Sequence, residues 1–499
     1  MLYSMGAITH TSLNDNNPLP RPVKKRFPFP VSLVLLCLIG ADPALAAADG
    51  APHVAGEQLG LVWIAPFAGM LLSIAIMPLV APDFWHHHFG KISAFWALAF
   101  IIPFALTYGL NVALYEFLHT MLLEYLPFII LLFSLFTVAG GIHIKGNLHG
   151  SPRLNTGILA GGAAAASLAG TTGASMVLIR PLLRANDNRR HNVHVVIFFI
   201  FLVANIGGAL SPLGDPPLFL GFLKGVDFFW PTIHLFLPTL LVAGIVLAVF
   251  YAIDCYLYKK EGILPPEFDP TPDRALGVRG LVNVPLLAAI LGAVLMSGVW
   301  KPDIRFDVYH VEVELQNLLR DVLLLLIAGL SLKLTAASHR EANGFTWEPI
   351  VEVAKLFAGI FLTIIPAIAI LRDGSEGALA PVIDAVTNAD GSPNDVMYFW
   401  LTGILSSFLD NAPTYLVCFN TAGGDAKMLS GPLSTTLLAI SAGAVYMGAN
   451  TYIGNAPNFM VKAIAEHSGV KMPSFFGYML WSAVILLPIF ALVSWLFLA

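Results

Sequence analysis

Charge is what this chain lacks most. Asp, Glu, Lys and Arg make up 11% of its 499 residues and hydrophobic side chains 57%, whereas a soluble domain carries about 25% charged residues. So small a supply cannot cover a surface that faces water on all sides. An ordinary soluble protein is excluded, and an all-α polytopic membrane protein is expected. Cysteine is scarcer still: Cys37, Cys255 and Cys418 all lie in apolar runs, which excludes a disulfide framework and a C-x-x-C metal site and leaves the redox compartment open. Neither sign of charge dominates. A net charge of -5 gives no reason to expect nucleic acid as a partner, and nothing in the composition calls for a cofactor. The expected surroundings are a lipid bilayer, in the cell (inner) membrane, crossed many times.

What is present is a broken stretch and its copy. Asn205 to Pro217 reads Asn-Ile-Gly-Gly-Ala-Leu-Ser-Pro-Leu-Gly-Asp-Pro-Pro between apolar runs. Gly207, Gly208, Pro212, Gly214 and Pro216 free backbone groups there, and at membrane depth such groups must line something polar. The segment from Gly208 to Pro217 has a counterpart 240 residues later, from Gly448 to Pro457, sharing G-A-x-[S/T]-x-[L/I]-G-[D/N]-x-P and the breakers Gly448, Gly454 and Pro457. Matched Gly/Pro interruptions in two halves of a membrane chain point to a secondary-transporter binding site.

Apolar stretches long enough to cross a bilayer, by the requirement of roughly 20 residues, lie near 59–81, 92–113, 121–142, 194–222 and 231–258. A second set lies near 280–299, 321–336, 350–371, 433–458 and 474–498. Between the third and fourth member of each set sits a weaker segment, 155–178 or 396–420, the latter containing Leu409-Asp410-Asn411-Ala412-Pro413; both read as re-entrant hairpins. The expected architecture is therefore about ten spans plus two hairpins, with repeat 1 at 59–258, a cytoplasmic linker at 259–279 and repeat 2 at 280–498. Five crossings per half force repeat 2 to run upside down. With the tail inside, nineteen of the 26 Lys and Arg fall on the inner side and six on the outer, as the positive-inside rule requires. Residues 1–27 form a polar, basic tail. Residues 28–47 resemble a secretory signal peptide ending at Ala44-Leu45-Ala46, with an uncleaved first helix as the alternative.

Two carboxylates stand out at membrane depth, where ionisable groups are expensive and mark functional sites. Asp215 lies in the first interruption and Asp410 at the tip of the second hairpin, and the repeat brings both toward one midplane cavity. The plainer alternative is a helix cap, or a carboxylate paired with Lys355. Around them are Thr171, Thr172 and Ser175 on the first hairpin, Asn205 and Ser211 on the first interruption, Asn411, Thr414 and Pro413 on the second hairpin, and Asn450, Thr451 and Asn455 on the second interruption. A small hard cation such as Na+ takes several oxygen ligands of these kinds. A proton takes the same carboxylate, so one site at Asp215 and Asp410 can exchange Na+ for H+ by competition. The run His86-His87-His88 is expected to be a solvated interfacial loop rather than a metal or pH site. Glu124, Asp254 and His234 near span ends are expected to snorkel to water.

At these residues the chain resembles the ion transporter superfamily, which includes NhaD-type sodium/proton antiporters, citrate-metal-proton symporters and arsenite permeases. The segment 205–217 is similar to the family's N-x-G-G-x-x-[S/T]-P-I-G-D, and Leu409 to Pro413 to its D-N-x-P hairpin. The resemblance implies a secondary transporter with acidic ion sites at Asp215 and Asp410. Pro216-Pro217 stands where NhaD types carry a hydroxyl-rich run, which leaves the cargo open between Na+ with H+ and a citrate-like anion carried with a metal or Na+. Related transporters are commonly dimers, so a homodimer is also open. A different class, an intramembrane aspartyl protease, would pair the same two aspartates, but Pro212-Leu213-Gly214-Asp215 lacks the first glycine of G-x-G-D.

Overall fold

The structure, a computed structural model, describes residues 54–262 and 274–499. The basic tail and the signal-like segment at 28–47 lie outside the described residues, as does the middle of the linker at 259–279. The chain is helical, with two short antiparallel ribbons. In order, the principal helices are α1 (Ala65–Val80), α2 (Pro82–Tyr108), α3 (Leu110–Ala139), α4 (Pro152–Ala169), α5 (Thr171–Ala185), α6 (Val193–Leu202), α7 (Pro216–Leu223) and α8 (Trp230–Glu261). The second half continues with α9 (Asn283–Val299), α10 (Leu315–Leu334), α11 (Glu348–Thr363), α12 (Ile365–Arg372), α13 (Asp395–Phe408), α14 (Asn411–Thr421), α15 (Ser434–Met447), α16 (Ala456–His467) and α17 (Phe475–Phe497).

Among the described residues seven helices are long and apolar enough to cross a membrane, or eight if α11 and α12, bent by 41° at Ile364, form one span. The shortfall from ten has a local cause. α9 has 17 residues and α15 only 14 before its break, below the roughly 20 that a crossing helix needs.

Local sequence explains most helix starts. Pro66, Pro82, Pro152, Pro216 and Pro457 occupy first-turn positions, where a missing N–H costs nothing and φ is already helical. Ser151, Asn394 and Ser474 cap α4, α13 and α17 by accepting from Leu154, Met397 and Gly477 amides. Pro82 with Asp83 beside it also overturns one expectation. The residues 82–91, including His86, His87 and His88, are the first turns of α2 rather than a loop, and His87 Nδ1 lies 2.7 Å from the Asp83 carbonyl.

The helices pack as two sets. α1, α2, α3, α9, α10 and α11 pack on one another, and so do α4 to α8 with α13 to α17. At the centre of the second set is α6, whose run from Val195 to Ala204 is buried on every side, as its unbroken Val-Val-Ile-Phe-Phe-Ile-Phe-Leu sequence dictates. The ribbon of β1 (His143–Asn147) with β2 (Arg274–Arg279) pairs Ile144 with Val278. The hairpin of β3 (Arg305–Val308) and β4 (Val311–Glu314) turns at Tyr309 and His310, both at positive φ, the signature of a primed two-residue turn.

Candidate functional site

Both interruptions are non-helical apart from a short 3-10 turn, and each is closed by a glycine pair. A Cβ on Gly214 would lie 2.1 Å from the Gly208 carbonyl oxygen, and one on Gly454 would lie 2.6 Å from that of Gly448. Only glycine permits these crossings. The same hydroxyl bonds recur 240 residues apart. Ser211 donates to the Ser167 carbonyl and accepts from the Leu213 amide (3.1 Å); Thr451 donates to the Ser407 carbonyl and accepts from the Ile453 amide (3.2 Å).

Asp215 occupies the N-cap position of α7, its side chain turned away from the helix amides, and is 1% exposed. Its carboxylate accepts from Thr171 Oγ1 (3.0 Å), Asn411 Nδ2 (2.5 Å) and Asn455 Nδ2 (3.0 Å). Thr171 is the first residue of α5, Asn411 the first of α14, and Asn455 the N-cap of α16. Four helix N-termini therefore meet at one carboxylate, and their dipoles favour negative charge there. Backbone joins the elements too, the Thr171 amide donating to the Gly214 carbonyl at 2.8 Å.

Behind Asp215 lies an amide chain. Asn455 Nδ2 also donates to Asn205 Oδ1 (3.2 Å), Asn205 Nδ2 donates to Asn458 Oδ1 (2.7 Å), and Asn458 Nδ2 donates to the Gly448 and Thr451 carbonyls (2.8 and 2.9 Å). Asn458 was not singled out in the sequence. Its position one turn into a half-helix, just after Pro457, was the available signal.

Asp410 is half-buried and caps α14, accepting from the Ala412 amide at 3.1 Å. Asp410, Thr172 and Asp215 line one cavity of about 590 Å³, whose wall also includes the exposed Asp83, His86 and Glu348. Other candidates serve the breaks rather than the carboxylate. Thr414 donates to the Asp410 carbonyl (3.0 Å) and Asn450 to Ser407 Oγ (3.0 Å), while Ser211 and Thr451 bind backbone. Ser175 is fully buried, and its hydroxyl has no hydrogen-bond partner; the same is true of Asn411 Oδ1. Lys355 is not the partner of either aspartate: its ammonium lies over the Phe89 ring, 5.4 Å from the centroid. No trio of His, Cys, Asp or Glu among the described residues is close enough to hold a metal, and His86 lies 3.8 Å from Glu348 and edge-on to the His87 ring.

The snorkelling expectation fails for two carboxylates. Asp254, 0% exposed, accepts from Arg189 Nη2 (2.8 Å), His194 Nε2 (3.0 Å) and Asn155 Nδ2 (3.0 Å), while Arg189 Nε reaches Glu261 at 2.7 Å. The segment after α5 folds back under α8, so these charges pair inside the protein instead of reaching water. Glu124, in a π-helical turn at Met121–Tyr125 midway along α3, is likewise buried and paired with Lys224. His234 stays local, its Nδ1 3.0 Å from the Trp230 carbonyl.

Broken helices whose N-termini converge on a buried carboxylate, beside a cavity in a polytopic helical protein, are the kind of architecture in which secondary transporters hold their cargo. Residues 56–498 match the family described as "Putative citrate transport", and the chain belongs to this family within the ion and citrate transporter superfamily. It is a multi-pass membrane transporter. Over 316 residues it is 24% identical to an uncharacterized transporter of Mycobacterium bovis, covering 62% of this chain and 68% of the relative. An uncharacterized transporter of Mycobacterium tuberculosis matches to the same extent.

Proposed function

We propose that the protein exchanges a small cation, Na+ in the leading reading, for protons, with Asp215 and Asp410 as the exchanging groups. The observation that carries this reading is the charge on the cavity wall. Asp83, Asp215, Glu348, Glu352 and Asp410 line it, His86 is the one basic side chain, and no Lys or Arg is among the lining residues. Such a wall concentrates cations and repels a polyanion. The one place built for negative charge, where the four helix N-termini meet, is already filled by the chain's own carboxylate. The oxygen ligands for the cation are the Asp215 and Asp410 carboxylates with Thr171 Oγ1 and the unpartnered Asn411 Oδ1, a hard-donor set that suits Na+ better than a soft metal.

Competition makes a measurable prediction. Na+ binding to purified protein should release protons, so its calorimetric heat should change between buffers of different ionisation enthalpy, and its apparent affinity should weaken as pH falls. Heat that does not depend on buffer, together with measurable citrate binding, would overturn the reading. The second reading, a citrate-like anion carried with a metal or Na+, is favoured by the family's description. In that case the wall carboxylates would complete the cation's shell and the citrate would follow the cation in.

We also propose that the two halves are inverted-topology repeats of five crossings and one re-entrant hairpin each, α4 with α5 and α13 with α14 being the hairpins. The 240-residue recurrence of the Ser211 and Thr451 bonds supports this. The pairing of β1 with β2 joins two loops that the charge count assigns to the cytoplasm. Cysteines at Arg190 and Lys260 are expected to react only from the cytoplasmic side, and one at Gly391 only from outside. Labelling of all three from one side would sink the inverted repeat.

A further inference from the structure

Beyond the ion site, α7 carries a second charged contact at its other end. It runs from Asp215, its N-cap, to Lys224, its C-cap, and Lys224 Nζ pairs with Glu124 Oε1 on the π-helical turn of α3, the two side chains being 15% and 9% exposed. Eight residues at about 1.5 Å each put this pair roughly 12 Å beyond the Asp215 carboxylate. Neither residue lines the cavity, whose wall follows α7 only as far as Phe219. The pair thus lies outside the cavity, between α3 of one packed set and α7 of the other. α7 is gripped from other directions as well. Gly221 abuts Tyr415 of α14 so closely that a Cβ would sit 2.3 Å from the Tyr415 hydroxyl. Arg320 of α10 stands over the Phe219 ring at 5.9 Å, with its Nη2 buried and unpartnered.

A buried ion pair inside an apolar helix is a poor way to secure stability, because well-packed hydrophobic side chains do as well or better. A single π-helical turn inside an α-helix also marks functional positions more often than neutral ones. What an ion pair does better than interlocked apolar packing is part and re-form when water and a competing cation reach it. We propose that Glu124–Lys224 is the outer gate of the transport path. The Lys224 ammonium occupies the Glu124 carboxylate and latches the half-helix of Asp215 against α3 while the cavity is open on the opposite side. When the latch parts, Asp215 gains access from outside and Glu124 is exposed to the arriving cation. This rests on the transporter reading and its sidedness, not on which ion is carried.

The test is site accessibility. In a chain with Cys37, Cys255 and Cys418 replaced, Ile453→Cys places a thiol on the cavity wall, and a membrane-impermeant thiol reagent is applied from each side of oriented vesicles. The parent should label from the cytoplasmic side only. Glu124→Gln and Lys224→Met should each raise outside labelling about tenfold or more, the shift expected when a buried ion pair loses one partner. Lys224→Arg should label like the parent, and the exchange of Glu124→Lys with Lys224→Glu should lower outside labelling again. Unchanged outside labelling in folded single variants overturns the gate, as does a parent that labels from outside. If the single variants do not fold, the charge-exchanged double decides, and labelling from both sides in that protein overturns the gate. Because the readout is independent of the cargo, failure of the cation/proton reading leaves it intact.

Discussion

Asp215→Asn is expected to abolish ion-coupled transport, lowering flux in proteoliposomes at least about a hundredfold, which corresponds to ~2.7 kcal/mol in the rate-limiting step. Asparagine keeps the shape of the side chain but cannot exchange a proton or neutralise a cation. It also brings a donor where the site supplies only donors. Thr171 Oγ1, Asn411 Nδ2 and Asn455 Nδ2 all point hydrogens at the carboxylate, so one of them loses its acceptor, at a cost of about 1–3 kcal/mol. The variant should therefore be somewhat less stable in detergent as well as inactive. Asp410→Asn removes the second carboxylate but leaves the cap acceptor for the Ala412 amide, so it should lose exchange with little loss of stability. Flux within a few-fold of the parent in either protein would return that aspartate to a purely structural role.

Arg189→Met is expected to produce the largest loss of stability of any single change considered. Arg189 lies between Asp254 and Glu261, its side chain 2% exposed and theirs 0% and 2%. Removing it leaves two buried carboxylates with only neutral donors and His194 for compensation, Asn155 and His194 at Asp254 and the His191 amide at Glu261. Breaking a buried pair from one side costs roughly 3–5 kcal/mol. The apparent melting temperature in detergent should fall sharply, and the folded yield with it. Arg189→Lys should fall between the two, because a single ammonium cannot serve both the Asp254 and the Glu261 oxygens in the fork that the guanidinium supplies. A melting temperature unchanged in Arg189→Met would show that the network carries no net stability.

Much of this was legible in the chain itself. Scarce charge, long apolar runs and the position of Lys and Arg are properties of composition and order, so membrane class and the lengths of α8 and α17 follow from them directly, whereas α2 and α3 begin well before the apolar runs that announced them. The interruption at 205–217 was legible because glycine and proline report backbone conformation whatever surrounds them, and its echo at 448–457 located the second break. Proline in the first turn marks the starts at Pro152 and Pro216 in the same way, whereas the start at Pro82 lies in a stretch whose polar residues read as a loop.

What only the tertiary structure decided is which polar groups meet. Asp215, Thr171, Asn411 and Asn455 lie on four different helix N-termini, and no spacing along the chain states that three donors from those termini converge on one carboxylate. Sequence position equally failed for Glu124 and Asp254: both fall near the ends of the apolar runs, where a free side chain would reach for water, but Glu124 lies midway along α3, and each is held inside by a cation from a distant segment, Lys224 or Arg189. The physical reason is the same in every case. Backbone breaks and apolarity are local properties of a residue, whereas the state of a charge at membrane depth depends on the partner that the fold brings to it.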